Sequence, residues 1–487
     1  MQGYRLGMIA LVGLLVLGWI SIMWAQEPQL LVLSELEERI AGELAVTILE
    51  RNLTRQDLRL VPDERVSGIG RKLAAYSDRP HLQYTFAVIE GEMPPRAFSL
   101  PGGHVLVSRA LLERICDTDA ELAFILGHEI AHSALRHYAD YALLDGQQAA
   151  YVRNLLQGRS QPLSLFAGDV PMLPENGAAL PDAVSSDSRN SNSETAAMIV
   201  ERILLPYMVK IRQLKEFEAD QFGALYAIRA GYDFSGSFWV LRRLRQLYGE
   251  DFELEGLDGL MNLDAPAEAP EYPDILERLE QLELFRIKAV EVAKLFPLGR
   301  DALDRGDYRE AALVFESILS LFPQSRTARI GLGVAYHLQY WDSSPGDDFL
   351  LAYPGALELE YTYLLERGPR DVDALRRAID QYQQVLDVEP GNSYACNNIG
   401  VAWAELQQSE EAERALREAL RLSERDFTMF NLGLLLVRKS GMVQDSAQQL
   451  RVKTEALALM EQYLGQIPHD AVAAEYVKTL HREIAEK

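Results

Sequence analysis

Apolar residues at helical spacing open the first predicted domain of the chain. Leu36, Ile40 and Leu44 lie on one stripe, and Ser34 before them begins a capping-box sequence. The pattern predicts a first helix that starts near Ser34. The same periodicity in residues 66–73 predicts a second helix.

Strand-like alternation follows these helices. Tyr84, Phe86 and Val88 occupy alternate positions of a β-rich segment, and the Pro-Gly-Gly sequence at 101–103 separates two further short apolar runs. We expect a small β-sheet here, with a hairpin that precedes the next helix.

The segment Glu121–His132 is almost wholly apolar and yet contains two histidines and an internal glutamate. His128 and His132 are four residues apart and share one face of a helix, with Glu129 beside the first. Burying these groups without a partner is costly, whereas two neutral imidazoles on adjacent turns can hold Zn²⁺. The segment therefore predicts a zinc hydrolase in which His128 and His132 are ligands and Glu129 is the general base.

A catalytic zinc site needs a third protein ligand. Glu216 and Asp220 share one face of a predicted helix, while Glu218 faces away from it. By themselves these carboxylates would indicate a solvated acidic face, but the histidine pair upstream favours a metal site. We assign Glu216 as the third ligand and expect Asp220 to orient a ligand imidazole through its second ring nitrogen.

Three separated motifs resemble the zinc endopeptidase family that contains HtpX and the CAAX prenyl proteases. They are the Phe-Ser-Leu-Pro-Gly-Gly run within Arg96–Leu112, the His-Glu-x-x-His helix, and Glu216-x-Glu-Ala-Asp220. The resemblance covers roughly residues 35–285. It implies an α+β, mostly helical gluzincin domain with a small sheet, one Zn²⁺ per chain and hydrolysis of peptide bonds.

The chain departs from the family pattern at two positions. Arg96 stands where such proteins usually have asparagine, and Tyr272-Pro273 stands where they often have His-Pro upstream of an arginine. A phenol can donate a hydrogen bond to an oxyanion as an imidazolium can. We therefore predict a catalytic role for Tyr272.

In peptidases of this kind, a strand beside the metal can accept the substrate backbone as an added strand. We expect residues 103–108 to form that edge, with substrate contacts from Gly103, His104, Val105 and Leu106. His104 and His137 are not needed as metal ligands, because three protein ligands are already assigned. Structural roles are expected for both.

Composition limits the classes of function. The 487 residues exceed what one core usually fills, so two or three domains are expected. A net charge of −24 argues against nucleic acid as the main partner. Cys116 and Cys396 have no neighbour at CxxC spacing, so neither a thiolate metal site nor a redox motif is supported. Whether the two cysteines pair with each other stays open.

The chain begins with an apolar run, Leu6 to Ala25, that follows Arg5 and indicates export. Its length leaves open whether residues 1–26 are a cleaved signal peptide or a retained N-terminal membrane anchor. Together with the resemblance, this implies an exported protein of the bacterial periplasm, soluble or anchored to the inner membrane.

We predict a metallopeptidase domain at residues 27–290 and a tetratricopeptide-repeat domain at 296–487. Within the first, residues 160–194 are rich in Pro, Gly, Ser and Asn and are expected to form a mobile loop or lid. In the second, Pro323 and Pro390 lie about two repeat units of roughly 34 residues apart. Such an all-α solenoid forms a groove for partner polypeptides, or else only buttresses the peptidase.

The expected function is zinc-dependent endopeptidase activity on polypeptide substrates. The resemblance implies that these are misfolded or misassembled envelope proteins and that the repeats bind an envelope-assembly partner. The alternative is a scaffold or chaperone whose zinc site is latent, which the departures at Arg96 and Tyr272 favour.

Overall fold

The computed structural model describes residues 29–30, 32–137, 143–144, 213–249, 274–342, 351 and 371–486. The predicted export segment, the loop at 160–194 and Tyr272 lie outside these ranges. Among the helices that are described, none is long and apolar enough to cross a membrane.

The predicted fold class is confirmed, because a small sheet and several helices come first and an all-helical array follows. The strands are β1 (Gln29–Leu30), β2 (Arg59–Val61), β3 (Thr85–Glu90), β4 (Ala97–Leu100), β5 (His104–Ser108) and β6 (Leu143–Leu144). The helices of the first part are α1 (Glu35–Arg55), α2 (Glu64–Ala74), α3 (Arg109–Arg114), α4 (Asp119–Ala134), α5 (Gln213–Arg229) and α6 (Ser235–Tyr248).

The four-stranded sheet has the order β2-β3-β5-β4. Strand β5 pairs in parallel with β3 and antiparallel with β4, so it has a neighbour on each side. The prediction that residues 103–108 form a free edge is therefore wrong. Gly103, His104, Val105 and Leu106 belong to an interior strand and the turn before it, where the backbone is already paired.

Helices α4 and α5 cross with their backbones in contact. A Cβ placed on Gly127 of α4 would lie 2.6 Å from the carbonyl oxygen of Gly223 on α5, and one on Gly223 would lie 2.5 Å from the backbone nitrogen of His128. Only glycine permits this approach at either position. The crossing brings the acidic positions of α5 against the histidines of α4.

A single long helix, α7 (Ile275–Asp304), joins the first domain to the array and runs through the predicted boundary at residues 290–296. The array continues with α8 (Tyr308–Leu321), α9 (Arg326–Asp342), α10 (Val372–Val388), α11 (Ser393–Glu405), α12 (Ser409–Leu422), α13 (Asp426–Ser440), α14 (Ser446–Gln466) and α15 (Ala471–Ala485). Small residues let its helix pairs pack closely, as Gly331 does against Phe315 and Gly400 against Leu416.

The array docks against the first domain through the first turns of α9 and α11 and the loop that precedes α13. Thr327 Oγ1 donates to Asp78 at 2.6 Å, Tyr394 Oη lies 2.7 Å from His81 Nδ1, and Ser423 Oγ donates to Glu35 at 2.7 Å. Buried apolar residues form one continuous cluster from the first domain into the array. The two cysteines are both buried and do not pair.

Candidate metal centre

Helix α4 places two histidines and a glutamate in the interior. Thr118 and Glu121 form a reciprocal capping box at its start, which fixes where the helix begins. His128, Glu129 and His132 are each at most 2% exposed. Their burial in an otherwise apolar helix requires partners from elsewhere in the fold.

Glu216 on α5 meets the two histidines. His128 Nε2 and His132 Nε2 are 3.0 Å apart, and the Glu216 carboxylate oxygens lie 3.5 and 3.6 Å from them. Ligand atoms about 2.0–2.1 Å from a tetrahedral ion are about 3.3–3.4 Å apart, so these separations suit zinc. Within the described part of the chain, this is the one group of three such residues placed to hold a metal ion.

The carboxylate of Asp220 holds the first histidine. His128 Nδ1 is 2.9 Å from Asp220 Oδ1, which leaves Nε2 directed towards the other ligands. Arg278 on α7 donates to both oxygens of Asp220. Burial works to raise the pKa of Asp220, but the charge of Arg278 and the contact with His128 outweigh burial and lower it below its ordinary value.

His137 contacts the second histidine, with 2.9 Å between the two Nδ1 atoms. The helix ends before it, and Arg136 adopts a φ of +55°, so the chain turns back and His137 N–H donates to the carbonyl of His132. Arg136 is held in this left-handed conformation by Glu38 at 2.7 Å and by the carbonyl of Gly391 at 2.9 Å. Helical arithmetic places His137 off the metal-facing stripe, but the turn brings it to the ligand.

Glu218 lies behind His137. His137 Nε2 is 3.4 Å from Glu218 Oε2, and Arg326 of the array donates to Glu218 Oε1 at 2.8 Å. Burial lowers the pKa of His137 to about 3, so its imidazole is neutral. Burial also works to raise the pKa of Glu218, but His137 and Arg326 together hold it well below its ordinary value.

The structure brings together His128, His132, Glu216 and Asp220, with Glu129 next to the first ligand. The predicted substrate residues of β5 are not part of this group, and His104 Nδ1 instead contacts Thr85 Oγ1 at 2.7 Å. Tyr272 lies outside the described residues.

Sequence reasoning expected a structural role for His137 but did not identify its contact with His132, nor the roles of Arg278 and Glu218. A signal exists for Arg278, because it follows the Tyr272-Pro273 motif. None exists for the other two, since their contacts depend on the turn at Arg136 and on docking of the array.

The residues that form this centre lie within a known sequence family. Residues 61–285 match peptidase family M48, and residues 296–340 and 373–426 match a tetratricopeptide repeat. The chain contains an M48 peptidase domain followed by tetratricopeptide repeats. The M48 match spans all three ligands, Glu129 and Arg278, so the contacts of α4 and α5 described above belong to that domain.

Two curated relatives are similar over part of the M48 domain. Mitochondrial metalloendopeptidase OMA1 of Schizosaccharomyces pombe is 37% identical over 75 residues, which are 15% of this chain and 22% of the relative. The mitochondrial metalloendopeptidase OMA1 of Bos taurus is 36% identical over 94 residues, 19% of this chain and 17% of the relative. The chain thus spans about a fifth of the length of each.

Solved structures resemble part of this chain. A tetratricopeptide-repeat protein of Thermus thermophilus is 19% identical with a TM-score of 0.30, and covers 42% of this chain and 91% of its own. The MamA protein is 15% identical with a TM-score of 0.27, and covers 40% of this chain and 86% of its own.

Proposed function

We propose that this protein is a zinc-dependent endopeptidase. The observation that carries the proposal is the convergence of His128, His132 and Glu216 in a buried group directly beside Glu129. Two imidazoles and one carboxylate are a common donor set of catalytic zinc and leave a fourth position for water or substrate. Membership of the M48 family supports the same reading.

Each side chain of the site would have a separate role in hydrolysis. His128, His132 and Glu216 would hold the ion, which when bound supplies Lewis acidity towards the scissile carbonyl. The carboxylate of Glu129 would accept a proton from the attacking water and return it to the leaving amine. Asp220 would keep the Nδ1 proton of His128 in place, so that Nε2 remains the donor to the metal.

Strand β4 is the better substrate edge in this sheet. It is the terminal strand of the order β2-β3-β5-β4, and it contacts α4. Ser108 N–H donates to the carbonyl of Arg96, so these two residues form a hydrogen-bonded pair between β5 and β4. In an antiparallel pair of strands, hydrogen-bonded and non-hydrogen-bonded residue pairs alternate. The backbone groups of Ala97 and Ser99 therefore point away from β5, where an extended peptide could pair with them.

For the biological setting we propose exported, misassembled envelope polypeptides as substrates, with the repeats binding a partner or substrate in the bacterial periplasm. The apolar run at residues 6–25 supports export, and a repeat array docked against the first domain supports a role in delivery. These features also suit the alternative, a scaffold with a latent zinc site.

The test compares cleavage of an unfolded model polypeptide by the wild type, Glu129→Gln and the control Glu113→Gln, which changes an exposed glutamate on α3. Zinc content is measured in all three. We expect equal zinc in each and loss of cleavage only in Glu129→Gln. If all three hold zinc and none cleaves, the peptidase proposal is wrong and the scaffold alternative takes its place.

A further inference from the structure

We propose that Arg326, in the first turn of α9 in the repeat array, is a positioning residue for the metal ligand His132. It acts through Glu218 and His137, neither of which touches the metal position. The inference rests on the proposed metal centre and goes beyond it, because it makes the repeat array part of the support of the site.

A chain of contacts leads from His132 through His137 and Glu218 to Arg326, and the first contact follows from the tautomer of His132. Its Nε2 faces His128 and Glu216, so a metal ion would be bound there and the ring proton would lie on Nδ1. That proton can be donated to His137 Nδ1, 2.9 Å away. His137 Nδ1 is then the acceptor, and the N–H of the His137 ring lies on Nε2.

The second contact is between the N–H of His137 and a carboxylate. His137 Nε2 lies 3.4 Å from Glu218 Oε2, so an N–H at that position lies beside a negative charge, at ion-pair distance and without hydrogen-bond geometry. The chain from His132 thus ends on Glu218, as the chain from His128 ends on Asp220. Partners behind a metal-bound histidine fix its orientation and raise its basicity.

The third step brings in the repeat array. Arg326 donates to Glu218 Oε1 at 2.8 Å, and its Nε lies 3.4 Å from Glu389. Its side chain is 6% exposed. Lys215 also approaches Glu218, but at 3.5 Å and with 21% of its side chain exposed, so solvent screens that pair more.

The start of α9 is fixed to the helix that carries Glu216 and Glu218. Thr327 donates through both its backbone N–H and its hydroxyl to Asp78, and Tyr226 of α5 donates to the same carboxylate at 2.6 Å. The Arg326 guanidinium also lies 5.8 Å from the ring of Phe222 on α5. Arg326 is therefore held in one place relative to Glu218.

The experiment measures zinc affinity of the full chain by competition with a chromophoric chelator, together with the visible spectrum of the Co²⁺-substituted protein. The variants are Arg326→Gln and Arg326→Lys. The control is Arg329→Gln, one turn further along α9, whose hydrogen bonds to the described residues go to groups of the array. Thr327→Val removes one hydrogen bond that anchors the start of α9 but leaves Arg326, Glu218 and His137 in the protein.

We expect Arg326→Gln to bind zinc about 10- to 100-fold more weakly and to alter the Co²⁺ spectrum, as loss of a group behind a ligand does. Arg326→Lys should recover part of the affinity. Arg329→Gln should bind zinc as the wild type does, and Thr327→Val should lose less affinity than Arg326→Gln, because it loosens the start of α9 but keeps the guanidinium. Equal affinity in Arg326→Gln and the wild type overturns the proposal, and so does an equal loss in Thr327→Val.

A second pair of variants keeps the test decisive if Arg326→Gln folds poorly. Glu218→Gln removes the charge that Arg326 holds and should weaken zinc binding by a similar factor. In the Glu218→Gln background, Arg326→Gln should have little further effect, whereas independent effects would contradict the chain. Because zinc binding is the readout, a wild type that binds zinc without cleaving peptides would refute the peptidase proposal and leave this one intact.

Discussion

Arg278 holds both carboxylate oxygens of Asp220, with Nε to Oδ2 at 2.8 Å and Nη2 to Oδ1 at 2.6 Å. Asp220 in turn contacts Nδ1 of His128, so an arginine of α7 fixes the orientation of a candidate metal ligand on α4. Arg326 contacts Glu218, which lies next to His137 behind His132. An arginine of α7 thus lies behind His128 through one carboxylate, and an arginine of the repeat array lies behind His132 through a carboxylate and a second imidazole.

Arg278→Lys tests the first of these supports. A lysine keeps the positive charge but cannot donate to both oxygens in the planar geometry of a guanidinium. We expect zinc affinity to fall by about 10- to 100-fold, measured by chelator competition. Arg286→Lys on the exposed side of the same helix is the matched control and should bind zinc normally. An unchanged affinity in Arg278→Lys would show that Asp220 keeps its position without the arginine.

Gly127→Ala tests the contact between α4 and α5. The added Cβ would lie 2.6 Å from the carbonyl oxygen of Gly223, so the helices must separate. We expect a loss of about 1–3 kcal/mol in the free energy of unfolding. Zinc affinity should also fall, because Glu216 moves with α5. Urea unfolding and chelator competition measure the two effects.

The control for this prediction is Gly68→Ala, on the exposed face of α2. A Cβ at Gly68 meets nothing within 4 Å. Alanine has the better helix propensity, so the variant should be more stable by about 0.5–1 kcal/mol and bind zinc normally. If Gly127→Ala behaved like Gly68→Ala, the close approach of the two helices would not be needed for the site.

Ser99→Pro tests the assignment of β4 as the substrate edge. Proline removes a backbone N–H that points away from β5, which leaves the pairing of the sheet intact. One lost hydrogen bond to the substrate should reduce kcat/KM by about 5- to 10-fold, with no change in zinc content. Ser99→Ala retains the N–H and should cleave at the wild-type rate. Equal rates in both variants would exclude this edge.

His337 of α9 gives a prediction for pH. Within the part of the chain that the structure describes, neither of its buried ring nitrogens has a hydrogen-bond partner, and the rings of Tyr340, Trp341 and Tyr382 lie next to it. Burial lowers its pKa from 6.5 to about 3. Between these values the unfolded chain binds a proton that the folded chain does not, so His337 makes stability fall as pH decreases from 6.5 towards 3.

The corresponding variant is His337→Phe. In the wild type, this histidine should lower the free energy of unfolding at pH 5 by about 2 kcal/mol relative to pH 7.5. In His337→Phe that contribution to the pH dependence should be absent. Urea unfolding of the full chain at the two pH values measures the difference. His481→Gln, which changes an exposed histidine, should keep the wild-type dependence. Parallel pH curves for His337→Phe and the wild type would contradict the prediction.

Much of this architecture follows from local patterns. The helical stripes before the sheet, the apolar helix with His128 and His132, and the spacing of the repeats are visible in the chain, because periodicity and capping act between residues close in sequence. The pairing of Glu216 with Asp220 on one face follows in the same way. Recognition of the M48 and tetratricopeptide-repeat layout is likewise confirmed.

The tertiary structure decided the rest. The interior place of β5 depends on its parallel pairing with β3, which no hairpin pattern predicts. The contact of His137 with His132 depends on a left-handed turn at Arg136 that Glu38 and Gly391, both distant in sequence, stabilise. By itself the sequence determined which residues can hold a metal ion. Long-range packing determined that His137 and Glu218 lie behind His132, because contacts made by a turn and by docking leave no periodic signal in the chain.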